Sequence, residues 1–207
     1  MSALPRVLRN LTAVSVLGLL TACSILPKGE SIQVYLLPSH TAPASQSAAV
    51  SWSLRLNTPQ ASQALNTSRI AVLPQGNQFS TYTGSSWSDP APRLLRNHLL
   101  NAFQADGRIA ALSSDDNNLQ ADLQLGGELQ AFQSEYRNGE VSVVIRLQAR
   151  LVNNQRQIIG SRLFEVRQPV NGTAVPAVTD AFGQASDVLA GQVLGWVLDT
   201  APLPDKR

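Results

Sequence analysis

From residue 123 onward, apolar and polar positions alternate through three long stretches, the clearest pattern in the chain. Leu123, Leu125, Leu129 and Ala131 alternate with polar partners, and Gly126-Gly127 interrupts them where a bulge is expected. Val141, Val143, Ile145, Leu147, Ala149 and Leu151 then alternate almost without error. Between these stretches, R-N-G-E at 137–140 contains Asn-Gly, the favoured type I′ hairpin turn. A second polar turn, N-N-Q-R, leads into I-I-G-S-R-L-F-E-V-R. A period of two with one polar face predicts a three-strand antiparallel meander covered on one side.

The cover is expected to be helical. Val178, Ala181, Phe182, Ala185, Val188, Leu189, Val193, Trp196 and Val197 recur at three- and four-residue steps from about 177 to 199. Gly191 and Gly195 inside this helix cost propensity. Close packing against the sheet is the favoured explanation, and contact with another helix the alternative. An earlier helix opens at S-D-P-A-P-R-L-L-R-N-H-L-L-N-A-F, where Asp89 can cap free amides and Pro90 suits the first helical position. Leu95, Leu99, Ala102 and Phe103 share one face of it, and Gly107 ends it. Ahead of that helix, 32–37, 51–56 and 69–74 read as strands, and 108–112 is a further short candidate behind it. The order predicts an α+β fold: an antiparallel sheet with a C-terminal three-strand meander and two amphipathic helices packed on one face. Residues 31–200 read as one such domain, with 201–207 as a disordered tail.

The start of the chain follows a different pattern. Arg6 and Arg9 precede Leu11 to Ala22, an uncharged apolar run of twelve residues. Crossing a bilayer core takes roughly 20 apolar residues, so 1–22 fits a cleaved signal peptide instead. The run ends in Leu20-Thr21-Ala22-Cys23, and Cys23 is the only cysteine in the chain. These four positions resemble the lipobox of bacterial lipoproteins. The resemblance implies that the thiol receives a diacylglycerol, that the chain is cut before Cys23, and that the new amino terminus is N-acylated (palmitate). Small Thr21 and Ala22 would admit the backbone to a membrane-embedded peptidase. Burial contributes about 0.8 kcal/mol per methylene, so one chain holds marginally and two or three hold stably. Ser24 in place of Asp favours, by resemblance to sorted lipoproteins, the periplasmic face of a Gram-negative outer membrane. Residues 23–30 become a lipidated tether, reaching roughly 26 Å at most.

Removing the leader also changes the charge. The whole chain carries +2, but two of its sixteen basic residues lie in the leader, leaving fourteen against fourteen acidic ones. A neutral mature chain without a basic, aromatic-interleaved stripe is not expected to bind nucleic acid. Two isolated histidines, His40 in a small-residue loop and His98 on the first helix, offer no metal site of familiar spacing. His98 is expected to pack or face solvent, and His40 to sit in a segment too flexible for catalysis. The chain has no G-x-S-x-G elbow and no phosphate-binding glycine loop, and Asp115-Asp116 reads as a solvated turn. The expectation is therefore no enzymatic activity, no metal, and no cofactor beyond the acyl groups on Cys23. One stretch exceeds the needs of a core: F-S-T-Y-T-G-S-S-W-S-D-P, Phe79 to Pro90. Trp87 could anchor the chain ahead of the helix, or Tyr82 and Trp87 could form an exposed pair that contacts a partner or an acyl chain. Both readings stand at this point.

The run from R-I-A-V-L-P through Y-T-G-S-S-W-S-D-P-A-P-R-L-L-R-N-H-L-L-N-A-F to D-G-R-I resembles the ABC-type transport auxiliary lipoproteins. That family includes lipoproteins of paraquat-inducible (Pqi) and mammalian-cell-entry (MCE) systems. The likeness lies in the strand ending at Pro74, the tyrosine shortly before Trp87, and Asp89-Pro90 opening a leucine-rich helix. Tyr35-Leu36-Leu37-Pro38 and the lipobox also fit. It covers most of 30–200 and is strongest from 65 to 110. The resemblance implies a non-enzymatic periplasmic accessory of an envelope lipid-transport apparatus. An inner-membrane ATPase and permease would work with an MCE-domain protein that bridges the periplasm, which the lipoprotein docks at the outer membrane. Self-association belongs to this expectation, since one small domain could hardly cap a bridging tube. The competing reading is a periplasmic carrier holding acyl chains between sheet and helices. It requires a cavity where the large apolar side chains indicate a filled core.

Overall fold

The computed structural model describes residues 31–40, 44–117 and 119–201. The leader, the lipobox with Cys23, the tether through residue 30 and the tail beyond Ala201 lie outside the described residues. The described strands are β1 Gln33–Tyr35, β2 Leu54–Leu56, β3 Gln60–Ala61, β4 Arg69–Gln75, β5 Gln78–Trp87, β6 Leu112–Ser114, β7 Leu123–Arg137, β8 Glu140–Asn153 and β9 Ile158–Pro169. The helices are α1 Ala91–Asp106 and α2 Val175–Thr200.

The meander follows the alternation. β7, β8 and β9 pair antiparallel in order, and Val141, Val143, Ile145, Leu147, Ala149 and Leu151 are all buried. Asn138 and Gly139 take φ values of 53° and 84°, the two positive angles a type I′ turn demands. The bulge lies elsewhere than expected. Leu129 pairs with Leu147 and Ala131 with Arg146, so the extra residue is Gln130, while Gly126-Gly127 stays in register. Gly127 serves another need: its φ is 144°, and a Cβ there would collide with the Gln148 carbonyl oxygen.

The rest of the sheet is joined in a different direction. β2, β3 and β4 line one edge of the fifteen-residue β7 in parallel, and β8 takes the other edge. β1 joins β5 and β6 joins β2, also in parallel. The sheet is therefore mixed, with the antiparallel parts confined to the meander and the β4–β5 pair. Most of the Phe79–Pro90 stretch forms strand β5, interrupted by a wide bulge. Arg69 faces Ser86 and Ala71 faces Thr81, so Tyr82 to Ser85 stand opposite Ile70 alone, with Gly84 at φ 68°.

Both helices join the core on the apolar side of the meander. Leu95, Leu99 and Phe103 of α1 are buried, as are Val178, Ala181, Phe182, Ala185, Leu189, Val193 and Val197 of α2; only Val188 of the expected stripe is exposed. Pro90, not Asp89, is the residue that caps α1, and no side chain bonds its first amides. Gly107 closes α1 at φ 82°, its N–H donating to the Phe103 carbonyl. A Cβ on Gly191 or Gly195 would meet nothing, so close packing is not their purpose. The tight contacts are Gly183 of α2, where a Cβ would come within 2.8 Å of Pro38, and Gly160 of β9, within 2.6 Å of Thr200. Asp115-Asp116 is no idle turn either. Arg96 of α1, its side chain 1% exposed, reaches Asp115 at 2.9 Å and Asp116 at 2.7 Å, tying the helix to the loop after β6. Among the described residues no helix is long and apolar enough to cross a membrane.

Candidate functional site

The β5 bulge separates the two aromatic residues that sequence puts together. Trp87 is 2% exposed, so the exposed-pair reading fails for it, and the anchor reading describes what it does. Its ring meets Phe182 of α2 edge-on at 5.2 Å and Phe132 of β7 at 6.1 Å, and those two phenyl rings stack at 4.7 Å. The indole N–H is buried without a partner among the described residues, a cost that the ring contacts offset. Tyr82 is half-buried, and its hydroxyl shares a 2.9 Å hydrogen bond with Ser134 of β7. Burial pushes its pKa up to about 12, so it stays a neutral phenol. Together the two side chains fasten β5 onto β7.

The structure assembles a second constellation that sequence reading missed. Asp187 of α2 holds both histidines. Its Oδ2 lies 2.9 Å from His40 Nδ1 and accepts the His40 backbone N–H at 3.1 Å. Its Oδ1 lies 2.8 Å from Nε2 of His98, whose ring is buried on α1. That last pair meets the distance of a hydrogen bond but not its alignment, since Nε2 has no properly directed partner. Burial holds the His98 pKa below its ordinary value, outweighing the charge and contact of Asp187, so the ring is neutral at pH 7. His40 is thus pinned to α2 rather than free. The arrangement is a clasp in which one carboxylate meets two imidazoles. Asp187 left one trace in the sequence, the single carboxylate between Asp180 and Asp199.

Beside the clasp, α1 and α2 leave a cavity of about 440 Å³. Ala102, Ala105, Ala190, Gly191 and Leu194 form its apolar lining, and the polar margin includes Asn101 and the Asp106–Arg108 pair. Arg108 holds that carboxylate at 2.7 and 2.9 Å, which keeps the Asp106 pKa below the usual carboxylate range. Where α1 meets the sheet, the packing is tight. The void lined by Leu56, Leu99, Leu125 and Leu147 measures about 10 Å³. On the outer face of the meander, Arg137, Glu135, Arg167, Glu165 and Arg146 form a continuous ion chain with contacts of 2.7–3.1 Å. Burial would raise the Glu135 pKa, but the Arg167 and Gln133 hydrogen bonds and the neighbouring positive charges bring it below the usual value.

A protein of Xanthomonas campestris from the DUF330 family has a crystal structure that superimposes with a TM-score of 0.75 at 29% identity, covering 81% of this chain and 95% of that one. A second crystal structure, of an uncharacterized protein, matches with a TM-score of 0.63 at 17% identity, over 81% of this chain and 99% of that one, and shows the fold alone. An uncharacterized protein of Bradyrhizobium diazoefficiens is 30% identical over 162 residues, which is 78% of this chain. The chain spans only 43% of that relative's length. The family model described as the ABC-type transport auxiliary lipoprotein component matches residues 35–194, from β1 through most of α2. β4, the bulged aromatic segment, α1 and most of α2 fall within that span, and the chain belongs to the ABC-type transport auxiliary lipoprotein component family.

Proposed function

We propose that this protein is the outer-membrane-anchored docking subunit of an MCE-type ABC transport system that moves lipids or related hydrophobic compounds across the envelope. Acyl chains on Cys23 hold it to the periplasmic face. Its partners are the MCE-domain protein that bridges the periplasm and, through it, the permease and ATPase. Self-association supplies enough surface to cap such a bridge. The subunit is not an enzyme and takes no metal or cofactor.

The observation that carries this reading is the span of the family match, 35–194, which is nearly the whole described fold and not one grafted motif. The tight contact of α1 with the sheet supports docking over carriage, because a site for small apolar ligands needs roughly 300–1,000 Å³ and the void at that contact measures about 10 Å³. Cross-linking in intact cells followed by pull-down of the tagged lipoprotein is expected to recover an MCE-domain protein. Repeated recovery of none removes the docking reading. One observation favours the alternative of a periplasmic acyl-chain carrier: the 440 Å³ cavity between α1 and α2. Delipidated protein that carries a phospholipid through native mass spectrometry would favour the carrier.

A further inference from the structure

The outer face of β1 is apolar and uncovered. Ile32, Val34 and Leu36 are 65%, 64% and 75% exposed, while Tyr35 and Leu37 of the same segment pack on the core. Val34 is in register with Ser86 of β5, and Ser86 with Arg69 of β4. Arg69 therefore shares this face two strands away, about 10 Å from Val34 at ordinary strand spacing. It is exposed and has no ion-pair partner among the described residues. Three successive outward positions of an edge strand are thus branched aliphatics beside an unpaired cation. Elsewhere the same side of the sheet carries the arginine–glutamate chain.

Two observations say what covers this face. The first is chain length: eight residues, Ser24 to Ser31, separate Cys23 from Ile32, a reach of roughly 26 Å when fully extended. A surface held that close to an anchor meets the bilayer at an effective concentration on the order of millimolar, so a contact too weak for a free protein becomes populated. The second is chemistry. Aliphatic side chains next to an unpaired arginine match the boundary of acyl carbons and anionic headgroups. A strand added at the β1 edge would use backbone groups and leave these side chains outside.

We propose that the outer face of β1 lies on the lipid surface that holds Cys23, with Ile32, Val34 and Leu36 at the headgroup–acyl boundary and Arg69 at a lipid phosphate. The inference rests on the acylation of Cys23 proposed above. Val34→Cys supplies the one free thiol of the acylated protein, and Ser161→Cys on exposed β9 is the control. Each full-length acylated variant is labelled with an environment-sensitive fluorophore and reconstituted into phosphatidylethanolamine–phosphatidylglycerol vesicles containing a spin-labelled phospholipid. Quenching at least about twofold stronger at position 34 than at 161 is expected for a side chain at the interface. Leu36→Cys repeats the measurement if the first variant fails to fold. Equal quenching at the two positions overturns the inference, as does a 34–34 cross-link showing that a second copy covers the face. Intact mass is read first. If the acyl chains are absent, the anchor fails and this inference with it; if they are present and position 34 is unquenched, the anchor stands and this inference alone falls.

Discussion

Removing the indole of Trp87 would open a place where β5, β7 and α2 share a contact. Trp87→Ala is expected to lower stability by about 3–5 kcal/mol. Chemical denaturation would show this as a shifted midpoint with an unchanged slope, and a shift worth less than about 1 kcal/mol would contradict the packing described. His98 makes a separate prediction, because burial favours its neutral form. A folded pKa held below the unfolded one means that its stabilising share is complete above pH 6.5, the ordinary histidine value, and is lost as pH falls through the folded value. Asp106, Asp115, Glu135 and Glu165 also have lowered values, but from the ordinary carboxylate range of 3.8–4.5, so their share is lost only in more acid solution. The unfolding midpoint should therefore decline below pH 6.5, and His98→Gln should flatten that first decline while leaving the acid one. An unchanged profile in the variant would refute the role of His98. Sequence could not place these side chains. A tryptophan ahead of a helix serves equally well as anchor or as exposed contact, and Asp187 meets two histidines that lie 147 and 89 positions away.

At the scale of elements, two glycines of α2 should respond with opposite signs. Gly191→Ala places a methyl in open space within a helix and is expected to stabilise by about 0.5–1 kcal/mol. Gly183→Ala drives a Cβ into Pro38 and should destabilise by about 1–3 kcal/mol. Thermal melts of the pair decide the matter, and a change of the same sign in both would show that the Pro38 contact is not tight. The meander was legible because a period of two is a local signal, repeated over Val141 to Leu151. β5 was hidden because the four residues of its bulge break that period. The parallel joins of β2, β3 and β4 to β7 leave no local trace at all, since each unites segments far apart in the chain. Gln130 rather than Gly126-Gly127 bulges for a related reason: glycine permits an irregular backbone but does not require an extra residue.

On the reading proposed above, the molecule as a whole is tied to its setting by covalent processing, not by folding. Cys23→Ala is expected to leave an uncut, unacylated precursor, visible as the mass of the full chain in place of the mature one. Normal maturation of that variant would sink the anchor. The Leu20–Cys23 resemblance to a lipobox is legible because processing enzymes read linear sequence. A docking surface is not legible in this way, because it is a shape without reactive groups.

The position of the last helix has a further consequence. α2 begins at Val175, yet Phe182 completes the ring cluster started by Trp87 and Phe132. A chain synthesised from its amino terminus therefore holds Trp87 and Phe132 without their third ring until α2 has been made. Closure of the cluster waits for that helix. Truncation inside α2 should accordingly abolish the fold rather than trim it.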